Sequence, residues 1–263
     1  MKKILVTGSN WPNGRKGFIG SRFVELYKDE LDWEITEFQD DIREAEGIDL
    51  SMYDMVIHLA ALAGVRRSHE IPNQYWETNV VASKYFFESC KKHNVPIVYA
   101  SSSSVYEWWQ SPYSASKYAM EALAPEGSIG LRFHTVYGPN SREDMLFDKL
   151  LKKDPSLKYL THHTRDWTHV DDVCSAIALC VDNYDKIEES AIDVGNGKPV
   201  KVRDMANKYW PDNTLPIMEV DGERHDTCAN PGILLGLGWQ PQYHIMEDDT
   251  YILTDGTERR YDS

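Results

Sequence analysis

One segment, residues 7–20 (TGSNWPNGRKGFIG), limits what this chain can fold into more than any other. It follows an apolar run at Lys3–Val6 and precedes Ile19, Phe23, Leu26 and Tyr27, which share one helical face at offsets of 0, 4, 7 and 8. Glycine between a strand and a helix lets backbone N–H groups approach a pyrophosphate, whose charge the helix N-terminus favours. Thr7-Gly8 suits the strand end and Gly17-Phe18-Ile19-Gly20 the helix start, while Gly14-x-x-Gly17-x-x-Gly20 keeps a three-residue glycine spacing. Gly14 nevertheless lies six positions beyond Gly8, within an added polar loop that holds Trp11, Pro12, Asn13, Arg15 and Lys16. Such surface insertions cost little. The segment reads as a dinucleotide cradle carrying an elaboration.

The remaining pattern agrees with that cradle. Strand candidates at Lys3–Val6, Glu34–Phe38, Met55–Leu59, Ile97–Ala100 and Gly130–Phe133 alternate with amphipathic stretches. This predicts an α/β chain with a Rossmann-type doubly wound parallel sheet. A second helix is expected over about Gln74 to Lys91, with Trp76, Val80, Ser83 and Phe87 along one side. A third begins near Tyr113 and stops before Pro125. Residues 1–140 are expected to form mainly the dinucleotide-binding core. Residues 141–263 are expected to form mainly a small C-terminal substrate-binding lobe that returns some elements to the core.

A net charge of −14 argues against a nucleic-acid surface. No stretch approaches a membrane span, and the short apolar run at the start reads as a strand rather than a signal peptide. Cys90, Cys174, Cys180 and Cys228 lack zinc or disulfide spacing, and the histidines form no ligand set on one element, so no metal is expected. A reducing cytoplasm fits this usage.

Asp40, Asp41 and Ile42 lie about 20 residues after the last glycine, where an acid accepts hydrogen bonds from the adenosine ribose and repels a 2′-phosphate. That favours NAD over NADP, whereas Arg15 and Lys16 pull the other way. Further on, Tyr113 and Lys117 share a helix face at i and i+4. A free tyrosine, with a pKa of about 10, is a poor base at neutral pH. A neighbouring ammonium favours its phenolate. Ser102, in the serine run closing a predicted strand, is placed to hydrogen-bond the same substrate oxygen.

These residues resemble the extended short-chain dehydrogenase/reductase family, in particular its NAD-dependent nucleotide-sugar epimerases and dehydratases. The matching stretches include GFIGS (17–21), DIR (41–43), HLAALAGVRRS (58–68), YASSSSVY (99–106), SPYSASK (111–117), LRFHTVYGPN (131–140) and RDWTHVDDV (165–173). Within the family, AGVRRS, SSSSVY and RFHTVYGPNSREDM look most like UDP-glucuronate 4-epimerases. The resemblance implies transient oxidation of the sugar 4-hydroxyl, with Tyr113 as base, Lys117 tuning it and holding the nicotinamide ribose, and Ser102 on the 4-oxygen. It places Gly8, Gly14, Gly17, Phe18, Ile19, Asp40, Asp41, Ile42, Leu59, Ala60 and Ala61 against NAD. On the substrate side it implies Arg66, Ser103, Ser104, Asn140, Arg165 and Arg224, with a UDP-linked sugar as partner and a homodimer as a possible assembly.

Ser103 and Ser104 stand where dehydratases of the family carry an acid pair, which favours epimerisation of a uronic acid. Alternatives are an NADP-dependent nucleotide-sugar reductase and a catalytically silent dinucleotide-binding protein. The chain departs from its relatives in three places. The stretch between Glu34 and Met55 is short for two strands and a helix. Six residues link Tyr106 to Tyr113, and Trp108 and Trp109 within that link read as packing anchors. Val220 stands where a phosphate-binding arginine is usual, with Arg224 as its substitute.

Overall fold

Strands buried on both faces need unbroken apolar runs, and the central strands of this protein have them. The computed structural model describes residues 1–30, 32–247, 250–252 and 258–260. It contains β1 (Lys2–Thr7), β2 (Trp33–Glu37), β3 (Met55–His58), β4 (Ile97–Ser102) and β5 (Ile129–Phe133). With the Ala191–Val194 strand they form one parallel six-stranded sheet, in the order β2, β1, β3, β4, β5, then Ala191–Val194. Side chains alternate across it as the pleat requires. Ile4, Val6, Val98 and Leu131 face the helices Phe18–Tyr27 (α1) and Val170–Asp182. Leu5, Val56, Ile97 and Tyr99 face Phe86, Phe87, Cys90 and Met120 on the other side.

β1 pairs with β2 on one edge and β3 on the other. The chain therefore reverses direction across the sheet at β1, and the crevice beyond the carboxyl ends of β1 and β3 is where such folds bind ligands. Between β2 and β3 there is a single 3₁₀ turn, Ile42–Glu44, and no helix. Among the described residues β2 is thus an edge strand of this sheet.

Two helical details differ from the sequence reading. The segment expected as one helix is Pro72–Trp76, a π-helical stretch Glu77–Ala82, and Ser83–His93. The wider π turn shifts the register, so Trp76 is 49% exposed while Val80, Ser83 and Phe87 stay buried. Leu26, assigned to the buried face of α1, is also exposed. Beyond the sheet, Tyr137, Phe147, Leu150, Trp167, Met205 and Tyr209 form a separate apolar cluster. No helix among the described residues is long and apolar enough to cross a membrane.

Candidate active site

The glycine turn is tight for a reason that spacing alone misassigns. A Cβ on Gly17 would lie 1.9 Å from the Gly8 carbonyl oxygen, and one on Gly20 would lie 2.5 Å from it. One on Gly8, whose φ is +81°, would lie 2.5 Å from the Ala60 nitrogen. The close-packed set is therefore Gly8, Gly17 and Gly20. Gly14 has a φ of +82° but nothing within 4 Å of its Cβ position, so the structure corrects its place in the repeat. It turns a small hairpin in which Asn10 bridges Lys16, Trp11 N–H donates to Arg15 O at 2.8 Å and Gly14 N–H to Trp11 O at 2.8 Å. Gly17 N–H closes the base on Ser9 O at 2.9 Å. The helix beyond begins at Phe18 and Ile19 with no side-chain cap, leaving its first N–H groups for an anion.

The acid that the structure joins to this turn by a side-chain hydrogen bond is Glu37. Glu37 ends β2 opposite Val6 of β1, and its carboxylate accepts a hydrogen bond from the Asn10 side-chain amide. Asp41 caps the 3₁₀ turn through Arg43 N–H at 2.9 Å and pairs with the Arg43 guanidinium, which holds its carboxyl below the usual range. Asp40 is exposed, and Ile42 is buried.

The opposite lip of the crevice is Leu59, Ala60 and Ala61, at the end of β3, and its support is neutral and buried. Thr7 Oγ1 meets His58 Nδ1 at 2.8 Å, His58 Nε2 meets Ser83 Oγ at 3.0 Å, and Ala60 N–H donates to Thr7 Oγ1 at 3.2 Å. Burial pushes His58 down to about 3, so it stays uncharged. Asn79 clamps the same loop, accepting from Leu62 N–H at 2.8 Å and donating to Leu62 O at 2.9 Å. The Tyr75 hydroxyl donates to the carbonyls of Ala63 and Gly64. Neither Asn79 nor Tyr75 was foreseen. The available signal was a buried amide flanked by apolar residues in a helix.

Tyr113 and Lys117 lie on the Pro112–Leu123 helix, started by Ser111 Oγ accepting from Ser114 N–H at 3.1 Å and by Pro112 in the first turn. Both are buried. Burial raises the Tyr113 hydroxyl above its ordinary range, while the neighbouring Ser102 hydroxyl and Arg142 guanidinium oppose that rise. Lys117 is pulled down to about 7 by burial. Its Nζ donates to the Ala100 carbonyl at 2.9 Å, on β4. The Arg142 guanidinium is thus a cation that favours the phenolate, and the sequence reading did not name it. Ser102 ends β4, and its Oγ accepts from Ser104 N–H at 3.2 Å.

Beside them opens a cavity of about 160 Å³, lined by Ser103, Ser104, Thr135, Arg165 and Arg224 among others. Arg165 donates to the His225 carbonyl at 2.8 Å, meets His163 Nδ1 at 2.7 Å and approaches Glu223 at 3.4 Å. Asp171 and Asp172, a few positions on from Arg165, are engaged elsewhere, by Arg22 and by the Gln242 and Tyr243 backbone. Glu223 also pairs with Arg66 at 3.0 Å. Arg224 donates to the Ser103 carbonyl at 3.0 Å, lies 3.4 Å from Glu107 and sits over the Tyr106 ring. Glu107 and Glu223 line the cavity too. Asn140 is exposed, at a φ of +62°. Trp108 and Trp109 are 43% and 66% exposed, so they are not core anchors; Trp108 stacks on Tyr118 instead.

A family model described as the NAD dependent epimerase/dehydratase family matches residues 4–195. The chain is 28% identical to the uncharacterized protein MJ1055 of Methanocaldococcus jannaschii, over 88% of this chain and 78% of that one. It is 33% identical to UDP-glucuronate 4-epimerase 4 of Arabidopsis thaliana, over 57% of this chain and 44% of the epimerase. It therefore spans less than half the length of that relative. A solved structure of MoeE5 in complex with UDP-glucuronic acid and NAD is 26% identical, with a TM-score of 0.75, covering 93% of this chain and 95% of that one. The fold also matches UDP-glucuronic acid 4-epimerase from Bacillus cereus, at 24% identity and a TM-score of 0.74, covering 97% and 96%.

Proposed function

From the premise that this chain belongs to the NAD dependent epimerase/dehydratase family, we propose that it epimerises a UDP-linked sugar at C4, with UDP-glucuronate and UDP-galacturonate as the substrate pair. The observation that carries the reading is the Tyr113–Lys117 pair on one helix face, next in the chain to Ser114 of a cavity whose lining also holds the hydroxyls of Ser103, Ser104, Thr135 and Thr227 and the guanidiniums of Arg165 and Arg224.

NAD is the cofactor, and the glycine turn fits it, because backbone alone occupies the space where side chains at Gly8, Gly17 and Gly20 would stand. Gly8, Gly17, Phe18 and Ile19 hold the pyrophosphate, Glu37 the adenosine ribose, and Leu59, Ala60, Ala61 and Lys117 the nicotinamide half. When bound, NAD supplies a hydride acceptor that later gives the hydride back. Tyr113 takes the proton from the 4-hydroxyl, with Ser102 hydrogen-bonded to the same oxygen, and Tyr113 returns a proton to the 4-keto oxygen after the sugar has turned over. Arg165 and Arg224 hold the diphosphate and Ser103, Ser104 and Thr135 the uronate. Arg224 neutralises Glu107, which otherwise faces that carboxylate with like charge. Residues 1–140 mainly serve the cofactor and 141–263 mainly the substrate.

Glu107 favours a second reading, an NAD-dependent dehydratase in which that carboxylate removes a ring proton during elimination. One incubation separates the two. The purified protein with NAD and UDP-glucuronate is expected to form UDP-galacturonate, seen by chromatography, without net NADH. A product lighter by one water instead identifies the dehydratase, and no conversion of this or other UDP-sugars overturns both.

A further inference from the structure

We infer that the 10–16 hairpin is a cofactor-selecting element, in which Asn10 holds the Glu37 carboxylate at the glycine turn so that it accepts from the adenosine ribose and turns away a 2′-phosphate. This rests on the reading that NAD lies along that turn with its ribose at Glu37.

The need for such an element follows from the sheet. β2 is an edge strand here, and only a 3₁₀ turn separates it from β3. A glutamate ending an edge strand has no neighbouring strand to restrict its long side chain, and fixing that side chain costs rotamer entropy. The hairpin replaces the missing wall. Its base is fixed by backbone alone, through Gly17 N–H on Ser9 O and the bridge between Asn10 and Lys16. Asn10 is therefore positioned by the main chain, and its amide donates to Glu37.

The chemistry of that donor matters. An amide orients the carboxylate without cancelling its charge, whereas a lysine or arginine at position 10 would neutralise it and welcome a phosphate. Directly opposed residues of an antiparallel bridge project to the same side, so the Lys16 ammonium lies on the Asn10 side of the hairpin. With Glu37 held in place, its negative charge stays at the turn. With Glu37 released, Lys16 becomes a ready partner for a 2′-phosphate. Asn10 is thus a positioning residue, and the hairpin carries both the element that rejects NADP and the one that would accept it.

The test is equilibrium binding of NAD and NADP to the purified full chain by titration calorimetry, with no turnover involved. Wild type is expected to prefer NAD. Glu37→Gln should lower the NAD-to-NADP affinity ratio by about tenfold or more, the scale of losing a charge-assisted contact. Asn10→Ala should lower it by about fivefold, and Asn10→Ala with Glu37→Gln no further than Glu37→Gln alone, because the two act through one contact. Asn10→Ser, which keeps a short donor, guards against a folding defect and should retain part of the preference. A ratio unchanged in Asn10→Ala while Glu37→Gln collapses it overturns the hairpin's role and leaves Glu37 as the ribose acid. Ratios unchanged in both variants overturn the placement of the ribose at Glu37 and the inference with it. Failure of wild type to bind either dinucleotide overturns the cofactor reading itself.

Discussion

The two halves of the crevice are built on opposite principles. The cofactor floor is neutral: three glycines whose missing side chains make room for backbone, and a buried Thr7–His58–Ser83 chain in which burial keeps the histidine uncharged. The cavity beside Ser103 and Ser104 is charged, with Arg66 and Arg165 around Glu223 and Arg224 beside Glu107. A dinucleotide meets a preformed surface at the floor. An anionic substrate in the cavity must exchange partners with carboxylates that already hold the arginines, so its affinity is a difference between two sets of ion pairs. Shape governs the first site and charge balance the second.

The largest expected effect lies where the halves meet. Tyr113→Phe should lower turnover about a thousandfold while NAD affinity, measured by titration, stays within about twofold. Retained turnover would remove Tyr113 from the chemistry. On the neutral side, Gly17→Ala forces a methyl to within 1.9 Å of a backbone oxygen. It should abolish NAD binding and lower Tm, whereas Gly14→Ala should cost only the left-handed strain of about 1–2 kcal/mol and leave NAD affinity intact. Equal losses in the two variants would erase the distinction between cradle and hairpin.

Lys117→Met sharpens the comparison through pH. Burial lowers Lys117 from 10.5 to about 7, so between those values the unfolded chain binds more protons and stability rises with pH. The cost of burying the charge is fullest below about pH 7. The variant should therefore lose activity yet gain Tm relative to wild type, most at pH 6 and progressively less toward pH 10. A gain independent of pH would show that packing, not charge, is responsible. The smallest effect belongs to the charged cavity. Glu223→Gln frees Arg66 and Arg165 and should lower KM for the UDP-sugar about threefold, with kcat unchanged and a steeper dependence on salt. A raised KM would mean that Glu223 positions the arginines rather than competing with the ligand.

How much of this was legible depended on distance along the chain. Tyr113 and Lys117 were readable because a helix converts a spacing of four into a shared face. The strands were readable because parallel strands bury both sides. The glycine turn was readable in residue type but not in pairing: an insertion moved Gly14 into the repeat that Gly8 completes in space. The contact of Glu37 with Asn10 was not readable, because it joins the end of the second strand to a loop 27 positions earlier. The carboxylate partners of Arg165 and Arg224 were invisible, since Glu223 reaches Arg165 across 58 positions and Glu107 meets Arg224 from a different loop. No periodicity carries such pairings. The exposure of Trp108 and Trp109 shows the limit of residue type as a guide, because a large aromatic ring near a short link can stack on the surface as well as pack within.

The π-helical stretch Glu77–Ala82 bears on how this chain tolerates changes in length. One extra residue is held inside a helix there, and it turns Asn79 inward to the 62 loop while Trp76 faces out. Deleting a single residue from that stretch would restore α geometry and rotate the Tyr75 turn by roughly 100° about the axis, pulling Tyr75 from the carbonyls it holds. The hairpin absorbs its surplus as an excursion whose ends meet again at Ser9 and Gly17. Insertions and deletions among relatives should therefore collect at residues 11–15 and be absent from 77–82.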